Sequence, residues 1–198
     1  MGDIMLRTWI LAVTLALSAP AFASGHLVTS TTYLDHLVHG TTAHDLYRDE
    51  NIHPIIDPDD GNALANLTHD HTVKMSTAPM SGGQCQVSDL AFDWHFVITL
   101  PRAASEDALD SHTRSAWRVF VTRLKWHEEH HRAIFIGCGQ RFVPAAAKLT
   151  GPCASLEYQV QGYIATQYAA CMVDQKTFDS GEEAKVMAQP FIRLALAK

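Results

Sequence analysis

The chain has 198 residues, a formal net charge of −6, 12 histidines and four cysteines. Its charge is mild and unclustered, which excludes the basic stripe that nucleic-acid binding needs. Neither Gly-rich phosphate loops nor heptads nor internal repeats occur, so nucleotide-cradling, coiled-coil and solenoid classes are excluded too.

Residues 1–23 read as an export signal. Arg7 precedes an apolar run from Trp9 to Leu17, and Ala21-Phe22-Ala23 forms an A-x-A cleavage site ahead of Ser24. The run is short for a membrane span, although Asp3 weakens the basic lead and leaves an uncleaved anchor open. Cleavage leaves about 175 residues, the size of one domain with a proper core. The expected organisation is therefore a signal peptide over 1–23 and a single domain over 24–198, secreted or periplasmic, with no membrane contact after cleavage.

Residues 24–30 form a polar lead. Thr31 to Val38 is β-branched and aromatic enough for a strand, closed by Gly40. Thr42 to Asp49 predicts a short helix capped by Thr41 or Thr42. Asn51 to Asn62, rich in Pro, Asp and Gly, predicts a loop. Ala63 to Met75 and Gln84 to Leu100 predict strands around the turn Pro79-Met80-Ser81-Gly82-Gly83. The clearest strand alternates Phe92, Trp94, Phe96, Ile98 and Leu100 and ends at Pro101.

Asp110 or Ser111 caps a long helix that runs to about Gly137 or Gly139, with its continuation to Val143 left open. Its apolar row is Trp117, Phe120, Val121, Leu124, Ile134, Phe135 and Cys138, and His127 and His131 fall into that row. Residues 154–173 predict a second helix, Asp174 to Gly181 a turn or loop, and Glu182 to Ala197 a last helix broken at Pro190. Strands first and helices later predict an α+β fold, a small antiparallel sheet packed beside a helical bundle that carries the histidine helix.

His127-Glu128-Glu129-His130-His131 contains H-E-x-x-H. On a helix His127 and His131 lie one turn apart on one face, so both imidazoles can ligate one zinc ion. Glu128 sits about 100° round, placed to act as general base toward water activated by the ion. Interior histidines without metal are the plainer reading, and the pairing of two at i, i+4 with an acid between them argues against it. His130 reads as surface. His69-Asp70-His71 places two histidines on one strand face. Without a third partner, a solvated strand edge is the preferred reading over a second metal cluster. Cys85, Cys138, Cys153 and Cys171, even in number and without C-x-x-C, predict two disulfides with three possible pairings. A cysteine zinc ligand is the competing reading.

Several stretches together resemble the bacterial family catalogued as domain of unknown function 922, described as predicted secreted zinc-dependent proteases. They are Gly40-Thr41-Thr42 with Asp45-Leu46, Cys85 ahead of a strand ending Thr99-Leu100-Pro101, and Trp117, Phe120, Leu124, His127, Glu128 and His131 at the core motif's spacing. Cys153 with Leu156 and Asp174 with Thr177 fill its downstream places. The resemblance implies an exported HExxH peptidase. Val173 stands where the family carries tyrosine, and Asp179 where it carries a histidine. Should that histidine be the third ligand, Asp179 replaces it, and a carboxylate is an acceptable zinc ligand.

The resulting expectation is a zincin-like metallohydrolase cleaving a peptide or protein substrate. Its Zn2+ is held by His127, His131 and Asp179, with Asp174 the runner-up or a carboxylate orienting a ligand, and Glu128 is the general base. Tyr163, Tyr168 or His130 could donate to the oxyanion. Two other readings stand beside it: a non-catalytic exported metal-binding or interaction domain that retains the ligands, and a structural domain stapled by disulfides.

Overall fold

The computed structural model describes residues 24–58 and 61–197; the predicted signal peptide lies outside them. The fold is α+β, a mixed four-stranded sheet with four helices. The sheet is built on β5 (Gln84–Ala103), which lies between β1 (Ser24–Val38) and β4 (Asn66–Pro79), and the short β6 (Thr150–Pro152) pairs with its start. In β5 the alternation read from the sequence holds from Leu90 through Phe92, Trp94, Phe96 and Ile98, all buried, but Leu100 is half-exposed and the strand continues through Pro101 to Ala103. One covered face and one open face follow directly from that period of two.

The sheet is not purely antiparallel. β4 pairs antiparallel with β5, but β1 runs parallel to it, from Ser24 beside Asp89 to Val38 beside Ala103. Parallel neighbours require a long crossover, and α1 (Ala43–Ile52) with the hairpin of β2 (Ile55–Asp57) and β3 (Gly61–Ala63) forms part of it. The predicted loop over 51–62 thus contains a small antiparallel hairpin, and the predicted polar lead is the first half of β1. Thr42 caps α1, its hydroxyl accepting from the Asp45 amide at 3.1 Å.

α2 (Ser111–Ala146) starts on Asp110, whose carboxylate accepts from the amides of His112 and Thr113 at 2.9 and 3.0 Å. It runs past Gly137 and Gly139 and takes Pro144 into its last turns. Glycine costs a helix about 1 kcal/mol relative to alanine, but Phe135, Cys138, Phe142 and Val143 are buried around this stretch and hold it. Gly139 also has a packing reason: a Cβ there would lie 2.9 Å from Leu27 Cδ2, so β1 could not approach as closely.

The expected loop at 174–181 is the interior of α3 (Leu156–Met187). Its weak helix formers satisfy themselves on the helix: Thr177 Oγ1 donates to the Val173 carbonyl at 2.8 Å and Ser180 Oγ to that of Thr177 at 2.9 Å. Contacts to α2 hold the rest, including the Cys138–Cys171 disulfide. The chain turns at Ala188–Gln189, and Pro190 opens α4 (Pro190–Leu196) at a position where its missing N–H costs nothing.

Two apolar clusters form the core. One joins Phe92, Trp94 and Phe96 to Phe135, Phe142, Leu156 and Ile164. The other gathers Val38, Leu46, Trp117, Phe120, Leu124 and Phe191. Among the described residues no helix is long and apolar enough to cross a membrane. Both disulfides, Cys85–Cys153 and Cys138–Cys171, suit an oxidising compartment.

Candidate metal centre

Along α2, Leu124 belongs to one core cluster and Phe135 to the other. The turns between them carry His127, Glu128 and His131. A step of about 100° per residue puts both Glu128 and His131 within about 40° of Leu124 and Phe135, on opposite sides of that line, with His127 further round on the His131 side. Glu128 is the innermost of the three at 5% exposed, and both histidines are half-buried on the flank facing α3. The histidines flank the buried stripe with side chains 16% and 13% exposed, and Glu128 lies deeper than either.

α3 runs antiparallel to α2 and presents Cys171, Gln175, Asp179 and Glu182 on successive turns. These meet Cys138, His131, the two histidines together, and Arg123 respectively. Asp179 Oδ1 lies 2.8 Å from His131 Nε2 and 3.3 Å from His127 Nε2, and the two imidazole nitrogens are 3.0 Å apart. These three residues form a group that could hold a metal ion.

Gln175 sets the tautomer. Its Nε2 donates to the His131 carbonyl oxygen at 3.0 Å, which leaves Oε1 facing His131 Nδ1 at 2.5 Å. An amide oxygen only accepts, so Nδ1 carries a proton, and Nε2 is the ring atom that faces Asp179 and His127. Burial, then His131, Arg123 and His130, push His127 down to about 4, so its ring is neutral at neutral pH. Its Nδ1 is buried with no hydrogen-bond partner among the described residues.

The donor set fits a divalent cation. Two imidazoles and a carboxylate bring ligand atoms to one point, and a cation there is attracted by all three. Tetrahedral zinc with bonds near 2.0–2.2 Å spaces adjacent ligand atoms by about 3.3 Å. The observed 2.8, 3.0 and 3.3 Å need only a slight opening.

Glu128 is pushed up to about 8, first by burial, then by the Asp179 and Asp57 carboxylates. Asp57, in β2, is the last and smallest of these causes. Phe178 covers the ligand side: its ring centroid lies 4.9 Å from those of His127 and His131, and it stacks on His130 at 4.2 Å. Below the group, Arg123 and Glu182 form an ion pair that also takes Lys185 at 2.6 Å. On the outer flank Glu129 binds Tyr33 and Arg132, fastening α2 to β1.

Other sequence candidates lie elsewhere. Asp174 is outside the group and faces Arg141 at 3.7 Å. Tyr168 is hydrogen-bonded to His69 Nε2 at 3.2 Å, and Tyr163 packs on the first core cluster. His69-Asp70-His71 forms no metal cluster among the described residues. Asp70 and His71 are exposed as a strand edge should be, but His69 turns inward, where Trp94 Nε1 donates to its Nδ1 at 3.1 Å. Gln175 and Asp57 escaped the sequence reading. The i, i+4 row Cys171-Gln175-Asp179 would have revealed Gln175 had the helical period been followed past Val173; no spacing points to Asp57.

No curated protein and no solved structure matches the chain. Residues 33–185, which hold both disulfides and the whole His-His-Asp group, match the family described as bacterial protein of unknown function (DUF922), and the chain belongs to that family.

Proposed function

We propose that the protein is an exported zinc-dependent peptidase, secreted or periplasmic, that hydrolyses an amide bond at the His127–His131–Asp179 group. The observation that carries this is the convergence of three ligand atoms within 3.3 Å, two from α2 and one from α3, beside the buried Glu128 that stands between the two histidines in sequence. A zinc ion bound there would polarise the substrate carbonyl and acidify a water molecule. Gln175 holds the His131 ring through Oε1 while its Nε2 donates to the His131 backbone carbonyl, so the ligand is oriented before any ion arrives. Glu128 takes the water's proton on a carboxylate oxygen as the carbonyl carbon is attacked, then returns it to the leaving nitrogen. An adjacent cation favours its ionised form against the burial that raises it. Phe178 shields the ligand side from bulk solvent.

A second reading, a non-catalytic metal-binding domain, draws on the depth of Glu128, which is 5% exposed. Glu128→Gln separates the two. Purified protein should retain about one equivalent of zinc by elemental analysis yet lose hydrolysis of a peptide library. Zinc retained with hydrolysis unchanged removes Glu128 as the base, and no metal in the wild type removes both readings.

A further inference from the structure

Beside the metal group, on the solvent side of the α2–α3 seam, lies a shallow open depression lined by His130, Ala133, Ile134, Gly137, Arg141 and Asp174. Its floor is small and apolar. Gly137 leaves this floor open: a Cβ there would meet nothing closer than Arg141 Nη1 at 3.8 Å. A mid-helix glycine costs about 1 kcal/mol against alanine, and no packing at this position requires it. What its missing side chain does is leave the way open from His130 to Arg141.

Arg141 folds back over this turn. Its Nη2 contacts Cys138 Sγ at 3.3 Å and lies 3.7 Å from Asp174 Oδ2. Its side chain is 68% exposed, and among the described residues no hydrogen bond engages Nε or Nη1. Two parallel donors of a guanidinium match a carboxylate, and the loosely held Asp174 shows that a carboxylate can stand on this guanidinium. Six residues of helix separate His131 from Gly137, about 9 Å at 1.5 Å per residue. An extended peptide covers that in about three residues.

We propose that this depression is a substrate subsite in which Arg141 binds a peptide carboxylate about three residues from the bond held at the metal group. The inference rests on the peptidase reading and names its substrate class: peptides bearing a carboxylate at that distance, whether the chain terminus or an acidic side chain.

The test is fluorescence anisotropy with zinc-loaded Glu128→Gln protein, which binds without turnover. The probes are labelled oligoalanine peptides ending in a free carboxylate, ending in an amide, or ending in an amide with an internal aspartate. Either carboxylate peptide should bind about tenfold tighter than the plain amide, and whichever does identifies the source. Arg141→Ala should abolish that preference while leaving amide binding unchanged. Gly137→Leu, which retains every charge, should weaken all binding, and Gly137→Ala controls for folding. Equal binding of all three peptides, a preference that survives Arg141→Ala, or no binding of any peptide overturns the subsite. Zinc content of the same samples keeps the readings apart: a protein without zinc defeats the peptidase, whereas a zinc-loaded protein indifferent to carboxylates defeats only Arg141.

Discussion

Glu50 offers a stability experiment that does not depend on any metal. It lies in α1, 2% exposed, and neither carboxylate oxygen has a hydrogen-bond partner among the described residues. Burial first, and the adjacent Asp49 second, push it from 4.5 up to about 8. An acid whose folded pKa is raised binds a proton in the native state that the unfolded chain has released. Its contribution is therefore fully present below about pH 4.5 and is lost as pH rises through about 8. Each unit corresponds to about 1.4 kcal/mol, so the whole interval sets an upper bound of about 5 kcal/mol. Glu50→Gln removes the charge and leaves the shape. In urea titrations of both proteins in chelator, followed by circular dichroism, the variant should match the wild type at pH 4. At pH 8.5 it should exceed it by about 2 kcal/mol or more. A difference that stays flat across this range would falsify the burial argument, as would a variant less stable than wild type at pH 8.5.

Further expectations concern the metal group. Gln175→Ala frees the His131 ring and should lower zinc affinity about 10–100-fold in competition with a chromogenic chelator; unchanged affinity would assign Gln175 to packing alone. Asp179→Ala should abolish stoichiometric zinc, and Asp179→His should restore it, since imidazole is an equivalent ligand; zinc retained by the alanine variant would reassign the third ligand. Replacing Cys138 and Cys171 by alanine opens a crosslink spanning 33 residues, worth about 3–4 kcal/mol. Because that bridge ties α3 to α2 beside Gln175, zinc affinity should fall as well. Replacing Cys85 and Cys153 should destabilise comparably but spare zinc affinity, and equal zinc loss from both pairs would contradict the assigned role of the helix bridge.

Legibility varied with the range of the interaction involved. The Phe92–Ile98 alternation, the Thr42 and Asp110 caps and the one-turn spacing of His127 and His131 are properties of residues within a few positions of each other, and they were readable as such. Asp179 was legible as a ligand only through likeness to a family pattern, because it lies 48 positions beyond His131. Local propensity misread α3 for the same reason: Thr177, Ser180 and Gly181 favour a turn, and it is α2 across the seam that keeps them helical.

The sequence by itself determined which segments alternate or spiral, where helices begin, and that one helix turn carries two imidazoles and an acid. Only the tertiary structure decided that β1 runs parallel to β5, that Cys138 pairs with Cys171, that Asp179 meets both histidines, and that Gln175 holds His131. Each of these joins residues far apart along the chain. Such contacts are selected by the packing of whole faces against one another, a property that no short window of residues contains.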